Sequence, residues 1–252
     1  MNTSCKKLPW DFSFEDIDLI KQVNKTNIAL GKLEATSLKL PNSKVLIEFL
    51  SIKEWVKSNE IENINTTVAD AFAPELHGRQ PARFEKKETP NYKETMLQRN
   101  QKLTERWGQW YNDFLEINRI ITGNSTGIYS SPEKHIKKWS TIIYTPPIGK
   151  DIIEDLLKNF ELHYNSFSEE KDIDPLLKLP LLHYQFEAIH PFGDGNWRTG
   201  RILMILYLVL HKKLSFPILF LSEYINSEKQ RYYEYLNTLD TKKELTLKEY
   251  TL

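Results

Sequence analysis

The stretch His190-Pro191-Phe192-Gly193-Asp194-Gly195-Asn196-Trp197-Arg198-Thr199-Gly200-Arg201, followed at once by the apolar run Ile202 to Leu210, constrains this chain more than any other. Glycine and proline mark a loop and the unbroken apolar run marks a buried helix, so polar chemistry is concentrated where loop becomes helix. A helix N-terminus carries unpaired backbone N–H groups and the positive end of the helix dipole, which suits phosphate. Around that end stand His190, Asp194, Asn196, Arg198 and Arg201, and the two arginines, three apart, share a helix face. Gly193 and Gly195 let the backbone approach an oxyanion closely, as consecutive amides do in an anion-binding nest. Asp194 suits Mg²⁺, which takes one or two carboxylates beside phosphate oxygens and water. Arg198 and Arg201 can grip phosphate bidentately, and His190 is placed to take a proton from an attacking hydroxyl. The grouping predicts a phosphate site.

These residues resemble the Fic (Fido) signature, His-x-Phe-x-(Asp/Glu)-Gly-Asn-Gly-Arg-x-x-Arg. The likeness continues upstream through His183-Tyr184-Gln185-Phe186-Glu187-Ala188-Ile189 and downstream through Pro217 to Ser222 and the pair Tyr232-Tyr233, about residues 28 to 240 in all. One position departs: Trp197 stands where the family has its second motif glycine. The resemblance implies a mainly α-helical fold, a Fic-like helical bundle with a small β-hairpin flap beside the active site. It implies transfer of AMP from the substrate ATP to a Ser, Thr or Tyr hydroxyl of a target protein, with Mg²⁺ as cofactor. By the same resemblance His190 is the catalytic base, Asp194 the metal ligand, and Gly193, Gly195, Asn196, Trp197, Arg198 and Arg201 surround the nucleotide. Two alternatives stay open. One is transfer or removal of another phosphate-containing group, since the motif grips phosphate whatever carries it. The other is a catalytically silent interaction module, with the Trp197 indole closing the nest; a tryptophan already in helical geometry could instead turn its ring away.

Composition narrows the partners. A formal net charge of zero over 252 residues, with no basic block, argues against nucleic acid or an anionic membrane surface as the main partner. Cys5 is the single cysteine and can form no internal disulfide, and Met1 to Phe12 contains no apolar signal-peptide core. Ile202 to Leu210 falls far short of the ~20 residues that span a bilayer. The expectation is a cytoplasmic protein whose partners are ATP and a target protein of unknown identity, a homo-oligomer being left open. No Gly-x-x-x-x-Gly-Lys-(Ser/Thr) loop and no zinc-spaced His/Cys cluster is present.

Taken in order, residues 1–104 read as an N-terminal helical region with a mobile connection, 105–240 as the catalytic core and 241–252 as a tail. Ile17 to Leu40 carries a helical stripe interrupted near Lys25-Thr26, Pro41-Asn42 is a turn, and Val45 to Val56 is amphipathic. On pattern alone, Ser58 to Asn63 is a helix end with acids on one side. The family resemblance gives it another meaning, because (Ser/Thr)-x-x-x-Glu-(Gly/Asn) marks an inhibitory helix in many Fic proteins. Ser58, Glu62 and Asn63 fit it, in a helix of about residues 55–64, which implies Glu62 on Arg201. Ala73 to Asn100, punctuated by proline, reads as the mobile connection, and Leu103 to Ile121 as a helix with a broad aromatic stripe. Trp139 to Tyr144 reads as a short strand, where the family has its flap; the arginine common at the flap's start is replaced by Tyr129-Ser130. Asp151 to Phe167 is helical, and Asp174-Pro175 opens the helix that delivers His190, with His183 on it as a satisfied core histidine. Ser222 is placed to cap a last helix from Glu223 to Leu239, with Ser227 as a second candidate.

Overall fold

The computed structural model describes residues 5–9, 16–62, 67, 110–122, 127–128, 136–138, 141–166 and 173–241. Helix α1 (Ile17–Ser37) begins at Asp16, whose carboxylate accepts from the amides of Asp18 and Leu19. It runs unbroken through Lys25-Thr26, where the apolar stripe pauses and the Thr26 hydroxyl donates to the Gln22 carbonyl at 2.9 Å. Asn42 caps α2 (Ser43–Ile61) in the same way, and Glu62 stands at its C-terminal cap. Three further helices form the body of the core: α3 (Trp110–Thr122), α4 (Lys150–Asn165) and α5 (Pro175–Ile189). α5 starts on Asp174, with Pro175 supplying a preset φ where no amide partner is needed.

The central element is α6 (Asn196–Leu210), in which every residue except Trp197 is buried. A helix apolar on all sides must be surrounded; α3 and α5 pack against it, and α4 packs against α3 and α5. Phe114, Phe160 and Phe186, one from each surrounding helix, meet at ring separations of 5.5 to 6.4 Å. Each such ring stabilises the core by about 1.5–3 kcal/mol. The Tyr164 hydroxyl donates to the Leu203 carbonyl at 2.6 Å and ties α4 to the middle of α6. Two short helices follow, α7 (Ser222–Ser227) and α8 (Lys229–Thr241), so the single helix expected over Glu223 to Leu239 is divided at Glu228. Ser222 does not cap: Leu221 holds the cap position and the Ser222 hydroxyl donates to Glu54 instead.

Strands β1 (Ile136–Lys138) and β2 (Thr141–Tyr144) pair antiparallel, with Lys138 opposite Thr141 and Ile136 opposite Tyr144. The Tyr144 hydroxyl donates to the Ala188 carbonyl at 2.8 Å, which ties the end of β2 to the last turn of α5. Trp139 and Ser140, and the whole of the expected mobile connection, lie outside the described residues. No helix among the described residues is long and apolar enough to cross a membrane.

Candidate active site

The site grows from the end of α5. His190 occupies the C-cap in left-handed geometry (φ 48, ψ 58), its amide donating to the Phe186 carbonyl at 3.0 Å. That conformation turns the chain out of the helix and leaves His190 half-buried at the mouth of the loop. Phe192 then plunges into the core, and Asn196 closes the loop on it. Asn196 Oδ1 accepts from the Phe192 amide and its Nδ2 donates to the Phe192 carbonyl, each at 2.8 Å. The Asn196 side chain thus shapes the nest from within, while Gly193 and Asp194 face solvent. Gly195 is the N-cap of α6 at φ 74, and a Cβ there would stand 2.6 Å from Thr122 Cγ2. Only glycine fits both the backbone angle and the space.

Asn118, buried on α3, was not singled out in the sequence, yet it fastens the loop from the other side. Its Nδ2 donates to the Asp194 carbonyl at 2.9 Å and to Thr199 Oγ1 at 3.2 Å. The signal was present: a polar amide among Phe114, Ile117 and Ile121, on the face that this stripe buries.

The two arginines are almost fully enclosed, with side-chain exposures of 2% for Arg198 and 0% for Arg201. Enclosed cations need counter-charges, because the desolvation cost is otherwise several kcal/mol. Asp194, whose side chain is 62% exposed, receives Arg198 Nη2 at 3.2 Å and the Gly195 amide at 2.6 Å. Glu62 comes from α2. Its Oε1 lies 2.9 Å from Arg201 Nη2 and its Oε2 lies 3.8 Å from Arg198 Nε, so one carboxylate bridges both guanidiniums. Ser58 Oγ accepts from Arg201 Nε at 3.0 Å and Nη2 at 2.6 Å. A turn further back, Glu54 accepts from the Ser222 amide at 3.0 Å and from its hydroxyl at 2.5 Å. Burial pushes the Glu54 pKa up, against the hydrogen bonds from Ser222 and the charge of Arg201. Glu54, Ser58 and Glu62 therefore line one face of α2 at intervals of four. Asn63 lies outside the described residues.

Trp197 is half-buried and already helical, as the second residue of α6. Its ring meets Tyr233 edge-on at 5.6 Å, Tyr232 at 6.2 Å and His190 at 6.5 Å. Behind this cluster His183 Nε2 lies 2.6 Å from the Tyr232 hydroxyl. Burial, helped by the charge of Arg201, lowers the His183 pKa to about 3. Among the described residues no group of three His, Cys, Asp or Glu side chains is placed to hold a metal ion, and Asp194 is the carboxylate that the loop itself supplies.

Comparison with known proteins gives the family of the two segments that carry this loop and α2. Residues 109–208 match the Fic/DOC family, and residues 20–98 match the Fic/DOC family N-terminal region. The chain belongs to the Fic/DOC family. It is 29% identical over 153 residues to "Protein adenylyltransferase Fic" of Nematostella vectensis, covering 57% of this chain and 30% of that protein. It is also 29% identical over 101 residues to "Protein adenylyltransferase fic-1" of Caenorhabditis elegans, covering 39% of this chain and 19% of that protein. The matched stretches span less than a third of these relatives' own length. Among solved structures, a Fic family protein from Desulfovibrio desulfuricans superposes with a TM-score of 0.64 at 19% identity, covering 94% of this chain and 70% of that one. A Fic domain containing signaling protein from Bacteroides thetaiotaomicron gives 0.67 at 17% identity, covering 88% and 85%. At such identities the likeness is one of fold, and it is the fold of this Fic/DOC family chain.

Proposed function

We propose that this Fic/DOC protein is a protein adenylyltransferase, moving AMP from ATP to a hydroxyl of a target protein, and that Glu62 holds it inactive. The observation that carries the reading is one contact: the carboxylate of Glu62 on the last arginine of the signature, 2.9 Å from Arg201 Nη2. In this reading the acceptor oxygen attacks the α-phosphorus, the bond to the β-phosphate oxygen breaks, pyrophosphate leaves, and His190 takes the hydroxyl proton. The loop backbone around Gly193, with Arg198, holds the phosphates, and Asn196 keeps the loop in shape through Phe192. Mg²⁺ fits at Asp194, whose largely solvent-facing carboxylate suits an ion that keeps water and phosphate oxygens as its other ligands. There it would neutralise phosphate charge. Strands β1 and β2 act as the flap, holding an extended target segment by edge pairing, with Tyr144 fixing their end near His190.

Glu62 opposes this chemistry by occupying the donors of Arg201 that a γ-phosphate needs. ATP bound with its γ-phosphate elsewhere has its α-phosphorus out of line for attack. The test is incubation of wild type and the Glu62→Gly protein with labelled ATP and Mg²⁺, with Glu60→Gly as control. Label entering the Glu62→Gly protein, or added target proteins, faster than with wild type is the expected result. Equal rates, or equal activation by Glu60→Gly, would remove the lock. A second reading, a silent nucleotide- or protein-interaction module, draws on the Trp197 ring edge beside His190, and complete absence of transfer from any phosphate donor would favour it.

A further inference from the structure

The two ends of one peptide plane in the loop are held by different parts of the protein. The peptide joining Asp194 to Gly195 is trans, so its carbonyl and its N–H point in opposite directions. The carbonyl accepts from Asn118 Nδ2 at 2.9 Å, and Asn118, on α3, is 1% exposed. The N–H donates to the Asp194 carboxylate, Oδ1, at 2.6 Å, beside Arg198 Nη2 at 3.2 Å from Oδ2. Holding the carbonyl toward α3 therefore aims the N–H at the solvent-facing carboxylate. The backbone at Gly195 does not impose this orientation by itself. Glycine takes either sign of φ at little cost, so the peptide before it is free to turn over. Turned over, it would take the N–H away from the carboxylate and present a carbonyl oxygen in its place, like charge facing phosphate.

We propose that Asn118 is a positioning residue of the loop: by holding the Asp194 carbonyl inward, it selects the orientation of the Asp194–Gly195 peptide that tethers the Asp194 carboxylate. A backbone carbonyl only accepts, so the group that meets it has to be a donor, and the amide nitrogen of Asn118 is that donor. The donor is itself fixed. The same Nδ2 reaches Thr199 Oγ1, buried on α6, at 3.2 Å. One turn further along α3, the Thr122 hydroxyl donates to the Asn118 carbonyl at 2.9 Å, and the Thr122 methyl fills the space beside Gly195. Asn118 thus links α3, the loop and the first turn of α6 without reaching any substrate. The catalytic meaning rests on the reading of Asp194 as the Mg²⁺ ligand, for which a tethered carboxylate is a preset one. The orientation of the peptide stands apart from that reading.

The test has two readouts, taken on the whole chain. In ¹H–¹⁵N spectra the Gly195 amide proton, bonded to a carboxylate, should lie far downfield. In Asn118→Asp, which keeps the shape and replaces the donor with an oxygen, it should return to the ordinary range. Thr199→Val, which removes the other partner of the same amide, should leave it in place. The second readout is Mn²⁺ with ADP, a nucleotide without the γ-phosphate that Glu62 would oppose, followed by electron paramagnetic resonance. Mn²⁺ affinity should fall by about 10–100-fold in Asn118→Asp and stay near wild type in Thr199→Val. A Gly195 resonance that does not move in Asn118→Asp, or that moves as far in Thr199→Val, overturns the proposal. A resonance that moves with no change in Mn²⁺ affinity supports the positioning and overturns the reading of Asp194 as the metal ligand. Should Asn118→Asp fail to fold, Asn118→Ala, which removes the donor without placing an oxygen against the carbonyl, decides by the same comparison.

Discussion

Replacing Gly195 with alanine tests how the anion loop is built, apart from any question of substrate. Two costs add. Gly195 sits at φ 74, where a residue with a Cβ is less stable by about 1–2 kcal/mol. The new methyl would lie 2.6 Å from Thr122 Cγ2 and 3.0 Å from Asn118 Nδ2, and forcing a methyl into packed space costs about 1–3 kcal/mol. Gly195→Ala should therefore destabilise the protein by about 2–5 kcal/mol, or about 5–15 °C in melting temperature for a chain of this size. Thr122→Ser removes the methyl that is struck while keeping the hydroxyl that donates to the Asn118 carbonyl at 2.9 Å. In a double-mutant cycle followed by circular dichroism in urea, Thr122→Ser should return most of the packing part and none of the backbone part. A favourable coupling of about 1–3 kcal/mol is expected. Because Asn118 must also shift, Mg·ATP affinity in Gly195→Ala should fall even where the protein is folded. A loss below about 1 kcal/mol with no coupling to Thr122→Ser would mean that α3 does not press on the loop, and the reasoning about Gly195 would fail.

In a Glu62→Gly background, His190→Ala should abolish AMP transfer with little change in melting temperature; undiminished labelling would overturn its role as base. Trp197→Gly should destabilise the protein by about 2–4 kcal/mol, through lost ring contacts with Tyr232 and Tyr233 and added backbone freedom. Calorimetry should find its Mg·ATP affinity close to wild type, since the indole is engaged with α8, whereas a gain of about tenfold would show that the ring crowds the nucleotide.

The parts of this protein that can be read from the chain are those encoded by neighbours. Gly193, Gly195 and the apolar run from Ile202 announce a loop entering a buried helix, and α6 begins at Asn196 as that pattern requires. The spacing of Ser58 and Glu62 is equally local, and both side chains reach Arg201. What escapes is set by packing between distant segments. The Glu54–Ser222 bond joins residues 168 apart, and nothing near Ser222 distinguishes it from an ordinary helix cap. At Lys25-Thr26 the apolar stripe pauses while the helix runs on, which periodicity by itself does not distinguish from a break. His183 read as a satisfied core histidine; its Nε2 has Tyr232, but its Nδ1 has no hydrogen-bond partner, and the acid nearest to it is Glu187.

The three polar side chains of α2 also differ in what it takes to release them. Glu54 and Ser58 are within 1% of full burial, so neither can leave its partner unless the helix itself moves. Glu62 is the C-cap, with φ −88 and ψ 9, and its side chain keeps 17% of its exposure. A residue at a helix end can change rotamer, or unwind by one position, without breaking the intrahelical ladder. Parting Glu62 from Arg201 under the proposed lock therefore does not require α2 to detach, and Arg201 keeps its hydrogen bonds to Ser58 while the carboxylate leaves. The Glu54–Ser222 bond can hold the helix in place while the last turn opens. That arrangement makes relocking an intramolecular event at high effective concentration, against which a γ-phosphate must compete from solution.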